Sequence, residues 1–87
     1  MLDILYTITL QVRDTPGVLV RVAHIFARRG CNISSIHVQH PAESAWSHMV
    51  ITVHNVARID QIEHQLEKLI DVHRVTITAN PEANHHA

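Results

Sequence analysis

Apolar and polar residues alternate from residue 3 to residue 13. Ile4, Tyr6, Ile8, Leu10 and Val12 fall on one side, and Leu5, Thr7, Thr9, Gln11 and Arg13 on the other. A period of two marks a strand with one buried face. Asp14-Thr15-Pro16-Gly17 breaks the alternation with turn-forming residues and offers a helix N-terminus. From Val18 the period becomes helical. Leu19, Val22, Ala23 and Phe26 make a stripe with Val18 and Ile25 beside it, while Arg21, Arg28 and Arg29 lie off it. Gly30 is placed to end the helix, and two arginines in its last turn suit the negative end of the helix dipole.

Residues 32–40 predict a second strand, with Ile36 and Val38 on one face and Ile33, Ser35, His37 and Gln39 on the other. After the polar loop Pro41–Ala45, residues 46–55 predict a third. There Met49, Ile51 and Val53 alternate with His48, Val50, Thr52 and His54. Ile59, Ile62, Leu66, Leu69 and Ile70 mark an amphipathic helix over 57–70, and Val75 and Ile77 share a face of a last strand over 72–78. The order β-α-β-β-α-β is the split-βαβ, or ferredoxin-like, plan. Right-handed crossovers put both helices on one face of a four-stranded antiparallel sheet. The fold class is therefore α+β, with one domain over residues 1–80 and a polar tail, 81–87. The second strand falls on a sheet edge with neither Pro nor Lys to guard it, which predicts a homodimer or larger oligomer built by pairing second strands.

Composition narrows the function. Leu, Ile, Val and Phe supply 27 of the 87 residues, against two Gly and three Pro, so the chain folds. A net charge of −1 with no basic run argues against a nonspecific nucleic-acid or membrane-surface binder. Only Tyr6, Phe26 and Trp46 are aromatic, and two of them fall on core faces, which disfavours base stacking. The lone Cys31 precludes an intramolecular disulfide or a cysteine-based zinc cluster and suits the cytoplasm. The first ten residues lack a basic signal region and are too short to span a bilayer.

No nucleophile with its base, paired carboxylates or phosphate cradle is apparent, so no catalytic residue and no cofactor is assigned. His37 and His48 on neighbouring strands, with His54 on the same face, are the one set that could hold zinc or nickel. They lack an evident third ligand, so no metal is assigned. The turn before the first helix is more informative. A glycine lets a ligand approach the backbone, and the amides of residues 17–19 with the helix dipole can receive a carboxylate. Asp14 offers a carboxylate to an ammonium group, and Asn32 offers donor and acceptor together. Such a set suits a free amino acid, although Asp-x-Pro-Gly is also an ordinary turn.

The segments DTPGVLVRVAHIFARRGCNISSIHV, Ser47-His48-Met49-Val50-Ile51 and IDQIEHQLEKLIDVHRV span much of residues 4–78. With them the chain resembles an ACT domain, and more closely the N-terminal ACT module of the regulatory small subunit of acetolactate (acetohydroxyacid) synthase. The resemblance implies no catalysis of its own. It implies binding to the thiamine-diphosphate-dependent catalytic subunit and feedback by valine or another branched-chain amino acid. The implied effector site takes Asp14, Gly17, Val18 and Leu19 from one subunit and Asn32 and Ile33 from its partner. The family usually carries asparagine where this chain has Asp14, and an aspartate can only accept. Arg21, Arg28 and Arg29 become candidates for contacting a catalytic subunit. The other readings are a stand-alone amino-acid sensor and a small ferredoxin-like enzyme, the latter without a catalytic set.

Overall fold

A computed structural model describes the backbone of residues 2–83 and the side chains of residues 4–80. The elements are β1 (Leu2–Arg13), α1 (Val18–Arg28), β2 (Ile33–Gln39), β3 (Trp46–His54), α2 (Ile59–Glu67) and β4 (Val72–Ala83). They form an antiparallel sheet ordered β2-β3-β1-β4, so β2 lies on an edge as expected. The 12-residue strands β1 and β4 set the long dimension, 43 Å, at about 3.4 Å per residue.

The core follows the alternation read from the sequence. Ile8, Leu10 and Val12 of β1 meet Met49, Ile51 and Val53 of β3, and Val18, Val22, Phe26, Ile62 and Leu66 of the helices close over them. Tyr6, Val75 and Ile77 pack at its margin. Helix α1 ends in a two-bond C-cap. The Cys31 amide donates to the Phe26 carbonyl at 3.0 Å, the Gly30 amide donates to the Ala27 carbonyl at 3.0 Å, and Gly30 has φ 69°.

Four details depart from the sequence pattern, each for a local reason. In β2, Ile33 pairs with Val53 and Ser35 with Thr52, so Ser34 is an extra residue in a β-bulge. The bulge reverses the phase and turns Ile33 to the core, with Ile36 and Val38 rather than opposite them. In α1 the buried stripe is Val18, Val22 and Phe26, and Leu19 is 43% exposed on the flank. Helix α2 closes at Glu67 in a tight turn, with Leu69 N–H donating to the Leu66 carbonyl at 3.1 Å. The helical period therefore stops before Ile70, which is 95% exposed. Finally, β4 runs on to Ala83, where the sequence predicts an end at 78, and Pro81 pairs with Ile4 on the edge of the sheet. Three residues of the expected polar tail thus continue β4, and residues 84–87 lie outside the described residues.

Candidate functional site

The turn before α1 has a definite geometry. Val18 N–H donates to the Thr15 carbonyl at 3.3 Å, and Gly17 sits at φ 83°, ψ −2°. Proline second and a left-handed glycine third make Thr15–Val18 a type II turn. Gly17 then caps the helix, its carbonyl accepting from Arg21 N–H at 3.0 Å, with no side-chain cap. Of the three amides expected to be free, that of Val18 is spent inside the turn. Those of Gly17 and Leu19 have no backbone partner among the described residues. The Val18 side chain is 8% exposed and belongs to the core. Leu19 is left as the exposed apolar contact of this turn.

Glycine at position 17 is needed for its backbone. A Cβ there would also lie 3.1 Å from an Arg21 guanidinium nitrogen, and Arg21 is held by Asp71. Gly17→Ala should cost about 1–2 kcal/mol for the left-handed conformation, lowering the melting temperature by roughly 5–10 °C. A thermal melt unchanged within 2 °C (an order-of-magnitude threshold) would mean that the turn rearranges freely.

Asp14 follows β1 and is tied to the far hairpin, its N–H donating to the Ala45 carbonyl at 3.3 Å. Its carboxylate lies 3.6 Å from His40 Nε2, and His40 Nδ1 lies 3.0 Å from Ser47 Oγ. Neither His40 nor Ser47 stood out in the sequence. Asn32 and Ile33 are elsewhere: they open β2, while Asp14 and His40 stand at its far end, roughly 20 Å along a strand of this length. Asn32 is exposed beside a cleft of about 370 Å³ that Cys31, Ser34, His54 and Asn55 also line. Within one protomer five of the six expected effector residues therefore divide into two groups. Asp14, Gly17 and Leu19 are together, Asn32 and Ile33 are at the opposite end, and Val18 is in the core.

A family model described as an AHAS small subunit-like ACT domain matches residues 8–74. The chain belongs to this family. The acetolactate synthase small subunit of Mycobacterium leprae is 44% identical over 71 residues, covering 80% of this chain and 42% of that protein. A probable small subunit from Archaeoglobus fulgidus is 40% identical over 72 residues, covering 82% and 45%. Among solved structures, the Thermotoga maritima acetolactate synthase small subunit superposes with a TM-score of 0.73 at 42% identity, over 84% of this chain and 46% of that one. The ACT domain of a Chlorobium tepidum GTP pyrophosphokinase matches with a TM-score of 0.69 at 21% identity, a likeness of fold alone. The chain spans less than half the length of these small subunits.

The ACT domain carries a second polar feature that the sequence did not reveal. Arg29, just past α1, donates to Gln61 at 2.5 Å and to Gln65 at 3.5 Å on α2. These contacts floor an open groove of about 580 Å³ bordered by Arg58, Asp60, His64 and Lys68. Arg58 and Asp60 pair at 3.3 Å, and the Arg58 hydrogen bond is the main cause that holds the Asp60 carboxyl below its usual range. The signal in the sequence was Gln61 and Gln65, four apart on one face of α2. Of the three arginines considered for a catalytic-subunit contact, Arg21 is committed to Asp71 and Arg29 to the glutamines, while Arg28 is exposed.

The sheet face away from the helices holds the remaining candidates. His37 pairs with Val50, and His48 pairs with Gln39, so the two histidines are diagonal neighbours instead of facing each other. Among the described residues no group of three His, Cys, Asp or Glu could hold a metal ion. His54 Nδ1 and Ser34 Oγ are 2.8 Å apart. Trp46 is half-buried, its ring 4.7 Å from that of His73 and 5.2 Å from the Arg13 guanidinium. Cys31 is half-buried against the core, as a small apolar filler would be. No helix among the described residues is long and apolar enough to cross a membrane.

Proposed function

We propose that this ACT domain is the regulatory module of an acetolactate synthase small subunit. In this reading it binds a branched-chain amino acid such as valine between two copies and adjusts the activity of the catalytic subunit. It acts by binding, without catalytic residues, resident metal or cofactor of its own, and in the cytoplasm.

The observation that carries the reading is that the two groups of candidate residues lie at opposite ends of an edge strand. One protomer cannot surround a ligand with both. Two protomers can, because antiparallel pairing of β2 with its copy sets the start of one strand beside the end of the other. Asp14, Gly17 and Leu19 then face the partner subunit's Asn32 and Ile33. The α-carboxylate lies on the Gly17 and Leu19 amides and the partner's Asn32, the ammonium lies on Asp14, and the side chain packs on Leu19 and Ile33. The 43% exposure of Leu19 supports an apolar ligand side chain there.

Calorimetry with valine, leucine and isoleucine tests the effector, and mixing with the catalytic subunit and thiamine diphosphate tests the regulation. Asn32→Ala removes a charge-assisted hydrogen bond worth about 1.5–3 kcal/mol, so binding should weaken by about 10- to 150-fold without loss of fold. Asp14→Asn should also weaken it, since a neutral amide is a poorer partner for the ammonium; tighter binding would place the effector carboxylate at Asp14 instead. If no branched-chain amino acid gives heat, the effector reading is wrong. If the catalytic subunit is unaffected, the regulatory one is.

A further inference from the structure

His40 stands one residue beyond β2 and touches both sides of the turn region. Its Nδ1 is 3.0 Å from Ser47 Oγ and its Nε2 is 3.6 Å from the Asp14 carboxylate. The negative charge of Asp14 favours the ring proton on Nε2, and in that tautomer Nδ1 accepts from the Ser47 hydroxyl. Ser47 is 3% exposed on β3, so this bond fixes the ring from the inside. The other edge remains outside: the His40 side chain is 42% exposed and that of Asp14 is 60% exposed. At 3.6 Å the Nε2–H is beyond hydrogen-bond length from Asp14, and its donor capacity is unspent.

We propose that His40 is a ligand-binding residue of the effector site, its Nε2–H donating to the α-carboxylate while Asp14 holds the ammonium. The inference rests on the effector reading above and names a residue that reading lacked. One observation of the turn and two arguments support it. The turn contributes fewer amides than its sequence promised, because Val18 N–H is bonded to Thr15. An asparagine at position 14 would supply a donor and an acceptor from one amide. Here those functions are divided, with the acceptor on Asp14 and the donor on His40. Finally, antiparallel pairing of two copies of β2 brings the end of one strand, where Asp14 and His40 lie, beside the start of its copy, where the partner subunit's Asn32 lies. Beside the turn amides, one ligand then meets two side-chain donors and one side-chain acceptor from two chains. That pattern fits an α-amino acid zwitterion and discriminates against a simple amine or a des-amino acid.

The test is calorimetric titration of the full chain with L-valine for the wild type and three variants, each checked for fold by circular dichroism. His40→Leu removes the donor and should weaken binding by about 10- to 150-fold. His40→Gln carries an amide N–H near the position of Nε2 and should stay within about threefold of wild type. His40→Asn keeps a polar atom facing Ser47 but withdraws the outer donor, and should fall with the leucine variant. The opposite order, with asparagine retaining affinity and glutamine losing it, would show that the ring only anchors the hairpin and would overturn the inference. Equal affinity in all four proteins would overturn it as well. Absence of binding by the wild type would overturn the effector reading and this inference together, whereas wild-type binding with unaffected variants removes the inference alone.

Discussion

Phe26→Ala should leave the domain largely unfolded at 25 °C in dilute solution. Phe26 is the largest fully buried side chain, and the core around it is small. Truncating a buried phenylalanine costs about 3–5 kcal/mol through lost transfer energy and the cavity left behind. A chain of 87 residues has a stability of roughly 4–13 kcal/mol, toward the lower end for a monomer with little interior. From the lower end of that range the substitution removes the whole margin. Far-UV circular dichroism in urea reads the outcome, and Phe26→Leu, which keeps much of the volume, should cost about 1.5 kcal/mol or less. The titration belongs at several protein concentrations, because association of folded chains raises apparent stability by mass action. A midpoint for Phe26→Ala close to wild type would mean that the helices do not depend on this contact for their seat on the sheet.

The sequence was most legible where one period ran without interruption. In β1 and β3 the strict alternation identified the buried face, and the observed register keeps it. It failed at β2 because a single inserted residue, Ser34, reverses the phase of everything before it, and nothing about a serine announces a bulge. It failed at Ile70 because apolar spacing does not say where a helix stops. Leu19 and Val18 exchanged roles for a similar reason: the helical stripe is wide, and a small rotation decides which residue is core and which is contact. The site was legible as a turn and only partly as a constellation. Asp14, Pro16 and Gly17 are adjacent in sequence and carry their own geometry. The contact among Asp14, His40 and Ser47 joins the ends of three strands, and no local pattern encodes that meeting. The spent amide of Val18 could be anticipated only by specifying the turn type, which Pro16-Gly17 does allow.

In the proposed β2-paired dimer, placing lysine at both Ile36 and Val38 should leave a 9.9 kDa monomer and abolish the proposed valine binding while the fold survives. Both side chains lie toward the helix side of the edge strand, and they are 36% and 52% exposed in the single chain. A paired copy of β2 would cover that remaining area. At about 2 kcal/mol for a fully buried aliphatic side chain, complete coverage of the two positions contributes roughly 1.8 kcal/mol per protomer, or about 3.5 kcal/mol for a symmetric pair. Antiparallel pairing of two β2 strands also brings the new lysines of the two copies near one another, where like charges are destabilising. The dissociation constant of the dimer should therefore rise a few hundredfold, which light scattering at micromolar concentration detects as loss of the larger species. Within the monomer, lysine keeps its stem on the strand and its charge in water, so the circular dichroism spectrum should persist. Loss of valine heat in the same variant links the edge to the ligand, because only the proposed dimer brings Asp14 and His40 to the partner's Asn32. A variant that stays dimeric would move the interface off β2. A monomer that still binds valine with wild-type affinity would place the whole site within one chain, a result that the separation of Asn32 from Asp14 along β2 argues against.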